Sequence, residues 1–311
     1  MQTILITEFM HQPSVDALAA HHQVYYDPEL VDKPLELNER IKGCDALIVR
    51  NRTRVDGVLL DQAGPQLKVV GRLGVGMERI DLAACSLRNV QVIPATGSNT
   101  NSVAEYVIAA IMMLLRGAYQ CSDEVLAGDW PRIKYMGFET TGKTLGIIGF
   151  GAIGRCTADK AKALGMRVLA CDSLLAVDHP AWSSHGAAKV YLDELLEQSR
   201  AVSLSVPLTE ETHHLISTAQ IARMPKGAVL INSCRGGVVD EAALCAALNS
   251  GHLAGAMLDV YENEPLAANS GLTGVPNLIL TPHIAGVSHE SNQRIGEMIA
   301  QGVEDVLVDS A

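Results

Sequence analysis

The sequence predicts an α/β protein built on two doubly wound parallel sheets. Short apolar runs alternate with helical stretches from the N-terminus to about residue 280, a glycine-rich turn joins one such run to a helix, and polar residues recur just after the runs. Alternation of this kind implies parallel strands with helices on the sheet faces. At 311 residues, with 48 % hydrophobic and 19 % charged content, the chain is long enough for two cores and too apolar to be disordered. A formal charge of −11 argues against general binding to nucleic acid or to anionic membranes, both of which need a basic face. An anionic substrate must then be held by a local cluster of arginines.

Residues 1–96 supply the first set of strands: Thr3–Thr7, Gln23–Tyr26, Ala46–Arg50, Leu67–Val70 and Gln91–Pro94. Helices are expected near Ser14–His21, Leu35–Lys42 and Val55–Gln62. Gly71, Gly74 and Gly76 are spaced GxxGxG, which reads as a loop bringing backbone N–H groups to a ligand or, more plainly, as a tight turn. Ser98–Arg116 opens on capping residues and then runs apolar on nearly every face, as a helix buried on several sides does. Ala118–Trp130 is expected to be helical, with Trp130 beside Pro131 packing at the helix end or touching a second subunit.

A strand over Leu145–Ile148 breaks at Gly149-Phe150-Gly151-Ala152-Ile153-Gly154 and leads into a helix. A second strand, Arg167–Cys171, then ends on Asp172, eighteen residues past the last glycine. In this order the parts suit a dinucleotide. Gly149 permits the tight turn, Gly151 lets the backbone approach a pyrophosphate, and Gly154 allows helix and strand to pack closely. The helix N-terminus faces the phosphates, and Asp172 accepts from the adenosine ribose hydroxyls. A 2′-phosphate would be repelled by Asp172, and Ser173-Leu174-Leu175 brings no arginine to hold one, so NAD is favoured over NADP. The plain alternative is a glycine-rich turn that binds nothing.

Further strands are expected at Ala201–Ser205, Ala228–Asn232, Ala254–Leu258 and Leu278–Leu280, with helices at Thr218–Arg223 and Glu241–Asn249 and a last amphipathic one at His289–Leu307. Ligands of such sheets sit off the carboxyl ends of the strands. Val206-Pro207, Ser233-Cys234-Arg235, Asp259 and His283 all follow those ends. Arg235, next to two glycines, is placed to grip a carboxylate by paired hydrogen bonds; the plain alternative is a salt bridge to Asp240. Glu264 and His283 offer a carboxylate that orients an imidazole, the usual device for a proton donor near neutrality, against an ordinary core or capping histidine.

The remaining candidates are weaker. His21-His22 and His213-His214 are adjacent pairs whose side chains should diverge, His185 and His289 should be exposed, and no metal site is expected. Seven scattered cysteines, never spaced CxxC, indicate free thiols in a cytoplasmic protein. Cys234 has no neighbouring base and reads as a small buried residue. The N-terminus lacks a signal-peptide pattern, and the longest apolar stretch, Val107–Leu115, is too short to span a bilayer.

Taken together, Gly149–Gly154 with Asp172, Val206-Pro207-Leu208 through Thr212, Asn232–Leu244, Leu258–Pro265 and Thr281–Gly286 make the chain resemble the D-isomer-specific 2-hydroxyacid dehydrogenases, nearest their phosphoglycerate-dehydrogenase-like branch. The likeness runs over almost the whole chain. It implies a Rossmann cofactor domain (98–284) inserted in a flavodoxin-like catalytic domain (1–97 plus 285–311), and a homodimer with Ser102–Trp130 reaching the partner. The same resemblance implies Arg235, Glu264 and His283 as catalytic residues and Asp259 as ligand of the nicotinamide carboxamide. Further cofactor contacts fall on Ala152, Ile153, Val206, Pro207, Thr212, Ser233 and Cys234. The N–H groups of Val75 and Gly76 would share the substrate carboxylate with Arg235. C-terminal regulatory domains of some relatives are missing, so their end-product control is not expected, and Met77-Glu78-Arg79 replaces smaller polar residues.

The expected reaction is reversible hydride transfer between substrate C2 and nicotinamide C4, with closure of two domains excluding water. Arg50 and Arg52, with Arg72 or Arg79, suggest a substrate with a second anion at C3, a phosphate or sulfonate; a solvated pairing set is the plain alternative. Glyoxylate or hydroxypyruvate reduction and a non-enzymatic NAD-sensing protein on the same fold are the rival readings. Formate oxidation is disfavoured, because relatives that perform it place Gln where Glu264 stands.

Overall fold

A computed structural model of the chain describes residues 1–117 and 121–309. The chain divides into two compact units, Met1–Asn99 with Val287–Ala311, and Thr100–Gly286.

The first unit holds five parallel strands, β1 (Thr3–Ile6), β2 (Gln23–Tyr26), β3 (Ala46–Val49), β4 (Val69–Arg72) and β5 (Gln91–Pro94), in the order β2-β1-β3-β4-β5. β3 is apolar throughout and buried on both faces, as a central parallel strand must be. Apolar side chains cover both faces of this sheet. Leu30, Leu37, Leu59 and Leu60 pack on one side, and Val15 and Leu18 pack on the other with Ile299 and Val303 of the last helix, His289–Asp309. Gly71 lies inside β4 rather than in the following loop, and an added Cβ there would sit 2.7 Å from Ile299 Cγ2. The glycine makes room for the helix, not for a ligand. Asp56 caps the helix Gly57–Ala63 by accepting from the N–H groups of Val58 and Leu59, a contact that stabilises a helix start by about 1 kcal/mol.

In the second unit seven parallel strands, β6 (Thr144–Ile148), β7 (Arg167–Cys171), β8 (Ala187–Lys189), β9 (Ala201–Leu204), β10 (Val229–Asn232), β11 (Gly255–Leu258) and β12 (Leu278–Leu280), lie in the order β12-β11-β10-β9-β6-β7-β8. The order reverses between β6 and β9, and in open parallel sheets ligands bind off the carboxyl ends at such a reversal. The helix Thr100–Arg116 buries Val103, Ala104, Val107, Ala110, Ile111 and Leu115 within this unit.

The sequence reading misses some of this. It has no β8 and no helix at Leu192–Gln198, where a three-residue strand and a seven-residue helix are too short for periodicity to announce. Of the helix expected over 118–130, Ala118, Tyr119 and Gln120 lie outside the described residues, and only Ser122–Leu126 is helical in the rest. Trp130 does not pack at a helix end; it is 76 % exposed.

Candidate active site

The loops after β6, β7 and β9 form a cradle at the reversal of the second sheet. Gly149 has φ +91°, and an added Cβ would lie 2.3 Å from the Ser205 carbonyl oxygen and 2.9 Å from Val206 Cγ1. Glycine thus lets the loops after β6 and β9 touch. Gly154 brings its helix equally close to the turn, since a Cβ there would meet the Gly149 oxygen at 2.3 Å. Gly151 differs: nothing lies within 4 Å of its added Cβ. The helix Ala152–Ala163 that follows has no side-chain cap, leaving its N-terminus for an anion. Asp172, after β7, accepts from the N–H of Phe150 at 2.8 Å and from those of Leu174 (2.8 Å) and Leu175 (3.2 Å), tying the glycine turn to the β7 end. Thr212 closes the loop after β9, donating to the Pro207 carbonyl at 2.7 Å.

Chemistry-bearing side chains follow β10, β11 and β12, which are neighbours. Arg235 follows β10 and donates to the Cys234 carbonyl at 2.6 Å, while Asn232 Nδ2 donates to the Arg235 carbonyl at 3.0 Å. Gly236 packs its backbone against the turn after β11, where an added Cβ would fall 1.6 Å from the Tyr261 oxygen. That turn carries Glu264, whose Oε1 accepts from the Tyr261 N–H at 3.1 Å. Glu264 Oε2 lies 2.8 Å from His283 Nδ1. Both side chains are part-exposed, and among the described residues no hydrogen bond engages His283 Nε2. Asp259 is buried and grips the loop around His283: Oδ1 accepts from the Ile284 N–H (2.7 Å) and the Thr281 hydroxyl (2.6 Å), and Oδ2 from the Ala285 N–H (2.7 Å).

Cys234 is buried, its thiol 3.1 Å from Asn232 Oδ1, and burial pushes that thiol above the ordinary range. It has none of the marks of a nucleophile. The other histidines depart from expectation in two places. His213 and His214 stack with centroids 4.0 Å apart instead of diverging, because His214 takes φ +50°. His185 is half-buried, bonded to Asp159 at 2.8 Å and edge-on to Phe150. Among the described residues no cluster could hold a metal ion.

In the first unit, Arg50 and Arg52 follow β3 at the point where its strand order reverses between β1 and β3. Glu8, buried after β1, accepts from the N–H groups of Arg50 (2.9 Å) and Thr53 (2.9 Å) through Oε1 and of Asn51 (3.2 Å) and Arg52 (3.0 Å) through Oε2. Burial pushes its carboxyl up, but the Thr53, Arg50 and Arg52 donors outweigh it and the net displacement is downward. With those four N–H groups engaged, an anion at this loop would be met chiefly by side chains. Arg50 donates to Asn292 Oδ1 at 2.9 Å and lies over the Phe9 ring, and burial lowers its pKa. Arg52 pairs with Asp32, which raises its pKa. Arg72 is buried and donates to the Gly76 carbonyl at 2.8 Å, bracing the loop after β4, whereas Arg79 is exposed. Among the described residues the N–H groups of Val75 and Gly76 have no hydrogen-bond partner.

Residues 108–285 match the family model described as "D-isomer specific 2-hydroxyacid dehydrogenase, NAD binding domain". The chain belongs to the D-isomer-specific 2-hydroxyacid dehydrogenases. It is 52 % identical over 307 residues to an (S)-sulfolactate dehydrogenase of Chromohalobacter salexigens, covering 99 % of each chain. A D-3-phosphoglycerate dehydrogenase of Archaeoglobus fulgidus is 40 % identical over 268 residues, 86 % of this chain but 50 % of that protein, so the chain spans about half of such relatives. Among solved structures, a glyoxylate reductase from Paecilomyes thermophila superposes with TM-score 0.85 at 30 % identity over 98 % of this chain and 94 % of that one.

The cradle fits the NAD that this dehydrogenase family binds. Ser233 Oγ is buried with no hydrogen-bond partner, the helix N-terminus is uncapped, and the space beside Gly151 is open. An orphaned hydroxyl at the carboxyl end of β10 is what a bound polar group would satisfy.

The sequence reading names Arg235, Glu264, His283 and Asp259, but not the use to which Asp259 is put, nor Glu8. Glu8 sits two residues past β1, opposite the loop after β3. An acid directly after a strand of a parallel sheet is the signal that could have found it.

Proposed function

We propose that this dehydrogenase interconverts a 2-hydroxy acid carrying a second anion at C3, a sulfonate as in sulfolactate, and the matching 2-keto acid. The observation that carries the reading is the 52 % identity, over nearly the full length of both chains, to a protein named (S)-sulfolactate dehydrogenase. Arg50 and Arg52 support it: they follow one strand of an acidic chain, in a loop whose backbone donors Glu8 already holds. The substrate carboxylate is assigned to Arg235 and to the Val75 and Gly76 N–H groups. NAD held in the cradle would supply the hydride acceptor for C2 in oxidation and, in its reduced form, the hydride donor. His283 removes the C2 hydroxyl proton through Nε2 while Glu264, 2.8 Å from Nδ1, fixes the ring and stabilises the imidazolium. In reduction His283 gives the proton back, and Arg235 polarises the C2 oxygen.

NAD is assigned to Gly149–Gly154, Asp172, Val206, Pro207, Thr212, Ser233, Cys234 and Asp259, and residues 98–284 are read as its domain, with 1–97 and 285–311 as the substrate domain. A homodimer is proposed from Leu126, Trp130, Ile133 and Met136, large apolar residues between 74 % and 85 % exposed along one segment. Seven free cysteines support a reducing, cytoplasmic setting. No described helix is long and apolar enough to cross a membrane.

A kinetic panel of sulfopyruvate, 3-phosphohydroxypyruvate, hydroxypyruvate and glyoxylate with NADH tests the assignment. Sulfopyruvate should give the highest kcat/KM. Preference for glyoxylate or hydroxypyruvate by tenfold or more would remove the second anion from the account, and no turnover of any of them would favour a binding protein.

A further inference from the structure

We propose that Tyr106, acting through the Thr281 hydroxyl, is a positioning residue that holds His283 in the conformation from which it exchanges its proton. The proposal rests on the reading of His283 as the acid and base. His283 has φ +57°, a left-handed backbone that a non-glycine residue rarely adopts and that persists only where its surroundings impose it.

Those surroundings converge on Thr281. The His283 N–H donates to the Thr281 carbonyl at 3.0 Å, and the Tyr261 hydroxyl donates to the same oxygen at 2.7 Å. Asp259 takes the N–H groups of Ile284 and Ala285 on the far side of His283 and the Thr281 hydroxyl on the near side. A threonine hydroxyl has one proton. Since Asp259 Oδ1 at 2.6 Å receives it, the contact between Thr281 Oγ1 and the Tyr106 oxygen at 2.5 Å has Tyr106 as donor.

The direction is therefore Tyr106 to Thr281 to Asp259, a chain of hydroxyls ending on the carboxylate that clamps both sides of His283. Its first member stands in the long helix Thr100–Arg116, beside Val103 and Val107, which anchor that helix in the core of the unit. Burial keeps the Tyr106 phenol protonated, its pKa pushed up to about 12, so it donates throughout the neutral range. Removing the Tyr106 hydroxyl leaves the Thr281 oxygen without its donor and held by Asp259 alone, which loosens one side of the clamp.

The test uses Tyr106→Phe, Thr281→Val and Thr281→Ser in the full-length protein, with His283→Ala as control. Turnover is measured with NADH and the best 2-keto acid of the panel above, and is normalised to NADH-binding sites counted by fluorescence titration. Tyr106→Phe should lower kcat per site roughly threefold to tenfold, the worth of one hydrogen bond, with KM for the keto acid within about twofold. Thr281→Val should lower kcat by roughly 100-fold, the penalty of a misplaced group, and Thr281→Ser should restore it to within about threefold of wild type. The solvent deuterium isotope effect should rise in Tyr106→Phe as proton transfer from a loosened imidazole slows. Wild-type kcat and isotope effect in Tyr106→Phe, a lowered melting temperature with unchanged kcat per site, or failure of Thr281→Ser to rescue would each overturn the proposal. Unchanged turnover in His283→Ala would instead remove the assignment of His283 on which it stands.

Discussion

Glu8 shows how much one side chain settles. Its two oxygens hold the backbone of Arg50, Asn51, Arg52 and Thr53, so the loop is shaped by a buried acid rather than by its arginines. Glu8→Gln should cost about 2 kcal/mol at neutral pH, because charge-assisted bonds from several N–H groups become weaker neutral ones. The carboxyl lies below its ordinary 4.5 in the folded protein, so its stabilisation is complete above that pH and is lost as acid carries the pH down through the folded value. Urea unfolding of wild type and Glu8→Gln should therefore differ at pH 7 and converge well below pH 4; a gap that persists there would contradict the sign. His283→Ala should lower kcat by at least 1,000-fold, roughly the contribution of a positioned acid and base, with the dissociation constant for NADH near that of wild type. Cys234→Ala should keep kcat at saturating NADH, since a buried thiol bonded to Asn232 Oδ1 at 3.1 Å is no nucleophile, and any loss should fall on the affinity for NADH, in line with its assigned cofactor contact.

Single elements separate binding from folding. Gly151 lies in open space with φ −72°, so Gly151→Ala should keep the wild-type melting temperature and weaken NADH binding tenfold or more, read by fluorescence titration. Gly236→Ala should instead damage folding. Its Cβ would strike the Tyr261 carbonyl, so the melting temperature should fall along with activity. The same contrast explains what could be read in advance. The order strand, Gly149, Gly151, Gly154, helix, strand and Asp172 is a local pattern, and local patterns survive in sequence. Arg235, Glu264 and His283 could be named because each follows an apolar run, and parallel strands place such residues at one edge. The hydroxyls of Tyr106 and Thr281 meet across 175 residues, and no periodicity announces a contact of that span. Glu8 and its loop are 42 to 45 residues apart and were equally silent. Gly71 misled because a glycine that admits a helix looks, in sequence, like one that admits a ligand.

At the scale of the molecule, the proposed homodimer gives a direct expectation. Trp130→Glu combined with Ile133→Glu should shift sedimentation toward the monomer, because two carboxylates would replace large apolar surfaces at 76 % and 81 % exposure. An unchanged sedimentation coefficient for a wild-type dimer would place the interface elsewhere. The aromatic stack behind the glycine turn has a practical consequence. Phe150, whose N–H reaches Asp172, lies face to face with Trp182 at 4.8 Å, and the chain has two tryptophans. Replacing Trp130 by Phe would leave Trp182 as the one tryptophan, excited selectively at the red edge of the protein absorption, beside the nucleotide cradle. Its emission overlaps the absorption of reduced nicotinamide, so energy transfer to NADH would turn this stack into a built-in optical gauge of coenzyme occupancy, free of any added label.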